Sequence, residues 1–534
     1  MHKTAADKAI MNIIKLALFI LMFGGPSACT PQQADDQQRY SVLIVNGTVY
    51  DGSLAPARHT NIAIAGDRIV SMNAPADAQA ELVIDATGMT VVPGFIDPHT
   101  HAGEDLLDDA RKANINYLTQ GVTTVFVGND GRGLPDLQTQ LAIWNDQGIG
   151  TNVGFFTGHG TARETVMGLE DRAPSDDELE QMRQFVAADM RAGALGLSTG
   201  LFYRPGSYAE TDEVVELAKV AADFGGVYDS HMRDESSYNI GLLGAVGEVI
   251  QIGEEADIPV HIAHIKALGR DVWGQSGDII ALVAAARERG IDVTADQYPW
   301  QASGTSLSSS LIPRWVMADS AEAMFGRLTN PDLEDRIREE MEANLWRRGG
   351  AESLLVTGDS EWHGMTLQEI AERMDLDPID AAVAVVRGGD PSIASFNMKP
   401  SDIDALAIQP WVMTGSDGSG GHPRKYASYP KAYQDMVATK SLFSLAHFVH
   451  RSAGLVADSF HLCDRGYLRP GLKADIAILD LANFLPIADF ENPTALSTGV
   501  THLLINGEAV IVDGQFNGSL HGTVINRQQL ECPE

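Results

Sequence analysis

Two histidines and an aspartate follow apolar segments that have the pattern of short strands. His99 and His101 come just after 93–97 (PGFID), and because residues two apart on a strand share one face, both imidazoles point the same way. Asp417 follows 411–416 (WVMTGS). Imidazoles at strand ends suit a divalent transition metal. An aspartate beside a metal-activated water takes its proton and passes it to a leaving group.

Two further histidines occupy the same kind of position. His231 follows the segment 226–230, and His264 follows 260–263. We interpret both as metal ligands, because they recur at strand ends after the His-x-His pair. His261 lies three residues before His264, on the opposite face of the strand, and we interpret it as structural.

The segments that carry these residues alternate with helical stretches through the middle of the chain. Between 93 and 469, seven or eight short apolar runs are separated by amphipathic segments such as 177–192 and 240–256. This alternation predicts an α/β fold, a (β/α)8 barrel, with the active site at the carboxyl ends of its strands. Prolines and a charged helical stretch interrupt the rhythm and predict an inserted subdomain at about 303–360.

Both ends of the chain have a different, β-rich pattern. Residues 41–92 and 470–534 alternate apolar with polar residues, and Asn-Gly and Asp-Gly turn signals divide them. Two such ends around a barrel predict one small β-sandwich that is built from both termini.

The first 28 residues have the pattern of an export signal. Basic residues precede an apolar run, 16–23, that is too short to span a membrane. The small residues before Cys29 resemble a bacterial lipobox, in which this cysteine is acylated; an ordinary secretory peptide cut near Ala28 is the alternative. Residues 29–40 are typical of a flexible tether. The sequence therefore predicts an exported, periplasmic protein that is lipid-anchored to the outer membrane.

The composition limits the partners of the protein. Of 534 residues, 38 are Lys or Arg and 72 are Asp or Glu, which gives a net charge of −34. This excess of acid argues against nucleic acid as a partner, because phosphate binding needs clustered Lys and Arg. Membrane contact is expected only through the N-terminal anchor. Three cysteines are too few for a disulfide scaffold; Cys463 and Cys532 either pair in an oxidising compartment or remain two free thiols.

Together the motifs resemble those of the N-acyl-D-amino-acid deacylases, or D-aminoacylases, of the amidohydrolase superfamily. The resemblance extends over nearly the whole chain after the signal peptide. It is carried by 93–101 (PGFIDPHTH), 120–131 (QGVTTVFVGNDG), 193–209 (GALGLSTGLFYRPGSYA), 225–236 (GGVYDSHMRDES), 259–276 (PVHIAHIKALGRDVWGQS), 296–300 (DQYPW), 366–381 (TLQEIAERMDLDPIDA), 414–424 (TGSDGSGGHPR) and 466–480 (GYLRPGLKADIAILD).

The resemblance implies a zinc enzyme with one or two divalent ions. His99 and His101, with Asp417 beside them, match the ligands of one metal position. His231 and His264 match the ligands of the other, which holds its zinc tightly. Asp417 also matches the general acid and base of the family.

The resemblance further implies how the substrate is held. Tyr203 matches a tyrosine that polarises the scissile carbonyl. Four more residues match the groups that hold the α-carboxylate of the substrate: Lys266, Tyr298, Ser303 and Arg424. A guanidinium pairs bidentately with a carboxylate, and the lysine adds a second positive charge. Fixing the carboxylate also fixes which face of the α-carbon meets the metal, a route to D-selectivity.

One ligand position departs from the family pattern. The family commonly has a zinc-binding cysteine in the motif VGNCG, whereas this chain has Asp130 in VGNDG. A carboxylate ligates zinc at about 2.0–2.2 Å and is able to bridge two metals, so we expect Asp130 to replace the thiolate. The alternative is that Asp130 only caps the turn at Gly131.

The expected reaction is hydrolysis of a linear amide in a small molecule, which removes the acyl group from an N-acyl-D-amino acid. One alternative is a dipeptidase that cleaves peptides with a C-terminal D-amino acid, with the same carboxylate-binding residues and a larger acyl pocket. Another is an inactive, lipid-anchored binding protein that has kept the fold.

Overall fold

A computed structural model describes residues 39–533 of the chain. The predicted signal peptide, Cys29 and nearly all of the predicted tether lie outside the described residues. Between residues 39 and 533, no helix combines the length and the apolar character that crossing a membrane requires.

Strands and helices alternate along most of the described chain. The strands are β1 (Tyr40–Val49), β2 (Arg58–Ala65), β3 (Arg68–Ser71), β4 (Ala80–Asp85), β5 (Thr90–Pro93), β6 (Phe95–Asp97), β7 (Val122–Val127), β8 (Asn152–Phe155), β9 (Thr157–Gly158), β10 (Gly196–Gly200), β11 (Val227–His231), β12 (Val260–Ile262), β13 (Val293–Gln297), β14 (Ala302–Ser306), β15 (Leu354–Val356), β16 (Ser392–Phe396), β17 (Val412–Thr414), β18 (Ile476–Leu479), β19 (Val500–Ile505), β20 (Glu508–Val512) and β21 (Gln515–Phe516). The α-helices are α1 (Ile115–Leu118), α2 (Leu137–Gln147), α3 (His159–Met167), α4 (Asp176–Ala192), α5 (Thr211–Asp223), α6 (Leu242–Ala256), α7 (Ser276–Glu288), α8 (Leu307–Leu311), α9 (Ala321–Leu328), α10 (Glu334–Arg347), α11 (Leu367–Met374), α12 (Pro378–Gly388), α13 (Pro400–Ala407), α14 (Arg424–Ala432), α15 (Leu445–Ser452) and α16 (Gly454–Ser459).

Parallel strands in the middle of the chain close into a barrel. Hydrogen bonds join β6, β7 and β8 into one set, and β9, β10, β11, β12, β13 and β17, in that order, into another. Strand β9 continues β8 after Phe156. A parallel bridge between Thr100 and Gly418 joins the two sets beyond the ends of β6 and β17. With β8 and β9 counted as one strand, the predicted eight-stranded barrel is confirmed within residues 39–533.

The barrel strands are covered on both faces. All six residues of β7 (VTTVFV) are buried, as expected for a parallel strand with side chains packed inside the barrel and helices outside. Met182 and Val186 of α4 and Val214 of α5 belong to the same core. Ser175, the N-cap residue of helix α4, forms a reciprocal capping box with Glu178. This packing fixes the strand ends on which the site residues stand.

The two chain ends form one β unit, as predicted. Strand β18 pairs antiparallel with β5, for example Ala477 with Val92, and this pair joins β1–β5 to β18–β21 in one sheet of nine strands in the described part of the chain. Alternate residues of both ends fill a common core, which includes Val42, Ile44, Ile62, Ile476 and Ile478.

The inserted subdomain extends further than the predicted range of 303–360. Strand β16 is the central strand of its three-stranded antiparallel sheet and pairs with both β14 and β15. Ile370 of α11 and Ala382 of α12 share a buried core with Leu307, so the subdomain runs from β14 to β16. The two helices have the amphipathic pattern of helices that cover a barrel, and only their packing assigns them to the subdomain.

The two C-terminal cysteines form a disulfide. Cys463 and Cys532 have Cα atoms 5.2 Å apart, a separation typical of disulfide bonds. Of the two alternatives that the sequence left open, the structure selects the bonded pair. The bond ties the C-terminal tail to the segment that precedes β18.

Replacing both Cys463 and Cys532 with Ser is expected to lower the free energy of unfolding by about 4 kcal/mol. The disulfide closes a loop in the unfolded chain, and the conformational entropy that the unfolded chain loses raises its free energy by about that amount. The two residues are 69 positions apart. Denaturant unfolding followed by circular dichroism measures the change. Wild-type protein in reducing agent should match the variant, and equal unfolding midpoints for variant and oxidised wild type would contradict the prediction.

Candidate active site

The candidate ligands all stand at or just beyond the carboxyl ends of barrel strands. His99 and His101 follow β6, and Asp130 follows β7. His231 is the last residue of β11. The remaining two, His264 and Asp417, follow β12 and β17. Because parallel strands end on the same rim of the barrel, residues from five strands meet there.

Four of these residues form one group. His99, His101, Asp130 and Asp417 have ligand atoms that all lie within 4.8 Å of one another. His101 Nε2 is 3.1 Å from Asp417 Oδ1 and 3.5 Å from Asp130 Oδ2. His99 Nε2 is 3.4 Å from Asp130 Oδ1. Two imidazoles and two carboxylates are therefore directed at a common point.

A second group shares Asp130 with the first. Asp130 Oδ1 lies 3.4 Å from His231 Nδ1 and 3.4 Å from His264 Nε2. The two imidazole nitrogens are 2.8 Å apart. Asp130, which the sequence placed at the position of a thiolate ligand, thus stands between two groups of potential ligands rather than only beside a turn.

Three of these residues have left-handed backbone conformations. The φ angles are 57° at Asp130, 36° at His264 and 47° at Asp417. Residues other than glycine rarely adopt such angles, and they persist at functional sites where surrounding structure enforces them. The backbone of Asp130 is closely packed, because a Cβ at Gly200 would clash with its carbonyl oxygen.

The residues fit a divalent metal. His99 Nε2 and Asp130 Oδ1 are buried and have no hydrogen-bond partner among the described residues. Buried polar atoms without partners are costly, and a cation among them removes that cost. Imidazole nitrogens with carboxylate oxygens are a zinc-type donor set. The shared Asp130 allows one ion or two.

Charge keeps the carboxylates ionised. Burial raises the pKa of Asp417, but the Arg424 guanidinium and the imidazole of His264 outweigh it and hold that pKa well below its usual range. Burial likewise raises the pKa of Asp130, and the nearby imidazoles, His99 first, lower it further than burial raises it. Both carboxylates are therefore negatively charged at neutral pH, the form that binds metals and accepts protons.

Two carboxylates that the sequence reasoning missed support the cluster. Asp296 at the end of β13 accepts hydrogen bonds from the His264 backbone N–H, at 2.9 Å, and from His261 Nε2, at 3.1 Å. His261 therefore has a supporting position outside the ligand groups. Glu235 Oε1 lies 3.0 Å from His264 Nδ1 and 2.5 Å from Lys266 Nζ. In the sequence, Asp296 stands in the family motif 296–300 and near the end of a predicted strand, but neither signal gave it a role.

A cavity of about 740 Å³ opens over the cluster. All four residues that the family pattern assigns to carboxylate binding line it: Lys266, Tyr298, Ser303 and Arg424. The Tyr298 ring lies 4.9 Å from the Arg424 guanidinium and 5.6 Å from Lys266 Nζ. The Tyr298 hydroxyl is buried without a partner in the described chain, and Ser303 Oγ donates to Asn397 Oδ1 over 3.3 Å.

The cations of this wall are balanced by site carboxylates. Arg424 Nη1 is 2.8 Å from Asp417 Oδ2, and Lys266 pairs with Glu235. Tyr203 lines the same cavity; its ring centroid lies 4.7 Å from that of His231 and its hydroxyl 3.5 Å from Thr305 Oγ1. The cavity thus joins a metal-type cluster, a carboxylate-binding wall and a phenol donor.

A barrel with histidines and carboxylates at its strand ends defines the class of metal-dependent hydrolases. Residues 82–289 match the family model described as Amidohydrolase family. The chain is 31% identical over 519 residues to a D-aminoacylase of Alcaligenes xylosoxydans xylosoxydans. The aligned region covers 92% of this chain and 99% of that protein. The chain belongs to the D-aminoacylase family of amidohydrolases.

Solved structures agree with this assignment. An N-acyl-D-glutamate deacylase of Bordetella bronchiseptica, complexed with zinc and a phosphonate inhibitor, is similar with a TM-score of 0.78 and 28% identity over 92% of this chain and 100% of that one. A D-aminoacylase described as having a binuclear metal centre is similar with a TM-score of 0.78 and 30% identity, over 91% of this chain and 100% of that one.

Proposed function

We propose that the protein hydrolyses N-acyl-D-amino acids to a carboxylate and a free D-amino acid. The observation that carries this proposal is the single cavity that contains both the histidine–carboxylate cluster and Lys266, Tyr298 and Arg424. Such residues bind a planar carboxylate, while the cluster acts on a neighbouring amide. The similarity to a D-aminoacylase and to an N-acyl-D-glutamate deacylase supports this reaction.

We propose zinc as the metal. The two positions share Asp130 and are completed by His231 and His264 in one, and by His99, His101 and Asp417 in the other. When bound, zinc lowers the pKa of water towards about 7 and polarises a carbonyl. The zinc complex of the similar deacylase supports this identity.

We assign the proton transfers to Asp417. Its carboxylate accepts a proton from the attacking water and later donates it to the departing amine. Arg424, which pairs with Asp417 at 2.8 Å, also belongs to the wall that we propose to hold the α-carboxylate. The group that transfers protons is therefore adjacent to the groups that orient the substrate, and orientation decides which enantiomer presents its amide to the cluster.

Tyr203 is proposed to donate a hydrogen bond to the carbonyl oxygen of the scissile amide. Burial and then the charge of Asp130 raise the pKa of Tyr203 to about 12. The hydroxyl is therefore protonated, and so a donor, throughout the neutral range. A donor aimed at the developing oxyanion stabilises the transition state.

The test is a screen of the purified, zinc-supplied protein. N-acetyl-D-amino acids, their L-enantiomers and L-Xaa-D-Xaa dipeptides are compared by amine release. Hydrolysis of the N-acetyl-D-compounds alone would support the proposal. Cleavage of dipeptides alone would identify the dipeptidase alternative, for which the cavity has room. No hydrolysis of any compound after zinc addition would contradict the proposed reaction.

We further propose that the protein is exported and anchored by a lipid on Cys29. The apolar run 16–23 before small residues and this cysteine supports the proposal, as does the disulfide between Cys463 and Cys532, a bond typical of oxidising compartments. Wild-type protein is expected in the membrane fraction and Cys29→Ser in the soluble fraction. Equal fractionation of the two would contradict the anchor.

A further inference from the structure

Most cations of the cavity wall have a carboxylate partner, and one buried cation does not. The cations that line the cavity are Arg111, Arg132, Lys266, Arg348, Arg424 and Lys425. Four of them pair with carboxylates: Lys266 with Glu235, Arg424 with Asp417, and both Arg111 and Lys425 with Asp105. Arg132 is exposed to solvent. Arg348 is only 2% exposed and forms no ion pair with a carboxylate among residues 39–533.

The Arg348 guanidinium is incompletely bonded. Its Nε donates to the Tyr238 hydroxyl at 2.7 Å, but Nη1 is buried without a partner in the described chain. Arg348 follows the last residue of α10 in the inserted subdomain, where the helix dipole favours a cation. In the described chain its side chain forms no hydrogen bond to the carbonyls of that helix end, so the planar fork of the arginine still lacks acceptors.

A second arginine increases the positive charge here. Arg314 donates to the backbone carbonyls of Phe202, at 2.7 Å, and Ser309, at 2.8 Å, and has no carboxylate partner in the described residues. Burial, with a contribution from Arg348, lowers the pKa of Arg314 to about 10, so the group stays charged at neutral pH. A buried charge without a partner is destabilising, and no acidic side chain between residues 39 and 533 pairs with Arg314 or Arg348.

Arg348 and Arg424 line the same cavity but have different neighbours. Tyr238, its hydrogen-bond partner, has its ring centroid 5.4 Å from that of Phe202, and Phe202 in turn packs at 5.8 Å against His231. Arg424 instead contacts Asp417 and Tyr298. A substrate carboxylate bound at Arg424 therefore leaves Arg348 available for another group of the substrate. Hydroxyls of the inserted subdomain also line the cavity: Ser306, Ser309, Thr357 and Ser392.

We propose that the cavity binds substrates with a second carboxylate, which Arg348 of the inserted subdomain receives. This inference rests on the proposed function and narrows its substrate class to dianionic N-acyl-amino acids. The second carboxylate comes either from an acidic side chain, as in N-acetyl-D-glutamate, or from an acidic acyl group, as in N-succinyl-D-leucine. A buried arginine–carboxylate pair is bidentate and strong, so one residue selects these substrates.

The test compares matched substrates that differ in one charge. N-acetyl-D-glutamate is paired with N-acetyl-D-glutamine, and N-succinyl-D-leucine with N-acetyl-D-leucine. Wild type is expected to favour the acidic member of one pair by about 10- to 100-fold in kcat/KM, the range for a hydrogen-bonded charge. Arg348→Gln should abolish that ratio, and Arg348→Lys should restore part of it. A preference in the first pair would show that the second carboxylate comes from the amino-acid side chain. A preference in the second pair would show that it comes from the acyl group.

The neighbouring Arg347 provides the control. It lies outside the cavity wall and donates to Ser237 and Asn344, so Arg347→Gln removes the same charge and should keep the ratio. Calorimetric titration of the same pairs into an Asp417→Asn background measures binding without turnover. If wild-type protein hydrolysed none of these compounds but still bound the acidic members more tightly through Arg348, the proposed reaction alone would be refuted. No preference in either pair, or a preference that Arg348→Gln retains, would overturn the inference.

Discussion

Replacing Asp417 with Asn is expected to lower kcat for N-acyl-D-amino acids by about 10²- to 10⁴-fold, the contribution of a positioned general acid and base. Asparagine has the shape of aspartate and tolerates the left-handed backbone at this position, where φ is 47°. It neither accepts the proton of the attacking water nor donates one to the leaving amine. Steady-state kinetics on the best substrate of the screen measures the change.

The matched control separates catalysis from stability. Asp402 is a buried aspartate outside the cavity wall and accepts hydrogen bonds from the Gly274 N–H and the Ser276 hydroxyl. Asp402→Asn is expected to lower the melting temperature and leave kcat per folded molecule nearly unchanged. If Asp417→Asn kept kcat within about tenfold of wild type, Asp417 would not be the proton carrier.

Replacing Asp130 with Asn is expected to abolish binding of the zinc that we propose and to lower kcat/KM by about 10³-fold. A catalytic metal stabilises its transition state by several kcal/mol, and each 1.4 kcal/mol is tenfold in rate. Asp130 Oδ1 lies 3.4 Å from imidazole nitrogens of His99, His231 and His264, so its charge serves both ligand groups. Elemental analysis of the purified variant measures the metal content.

Asp130→Cys is the informative partner of this variant. A thiolate restores both the negative charge and a zinc-binding atom, and we expect zinc content near that of wild type. Asp130→Asn with full zinc and full activity would show that this carboxylate only caps the turn at Gly131. Loss of zinc from both variants would show that the site requires a carboxylate at this position.

Much of the site was predictable because its ligands follow a local rule. His99 and His101 follow one apolar run in the spacing His-x-His, and His231, His264 and Asp417 each follow another, so the ends of predicted strands identify them, although the structure places His99 and His101 beyond β6 and not on it. The same rule identified the barrel, since its strands and helices are continuous in sequence.

The residues that the sequence did not predict depend on contacts between distant segments. Glu235 lies on a loop after β11, and its contacts with His264 and Lys266 follow from how two loops fold over one rim. Arg348 enters the cavity only because the inserted subdomain packs against the barrel. The end of that subdomain could not be predicted from the sequence either, because α11 has the same amphipathic pattern whether it covers a barrel or a smaller sheet.

The nine-stranded sheet that unites the two chain ends imposes an order on biosynthesis. Asp67 pairs with Lys473, 406 residues later in the chain, and at 5–20 residues per second a ribosome needs about 20–80 s to make that interval. During this time β5 has no partner on the edge that β18 later covers, and such an open edge is able to pair with other chains. The amino-terminal strands are thus synthesised first, but their sheet is completed only when the last strands are made. This architecture therefore requires that the open edge of the nascent chain be protected from pairing with other chains.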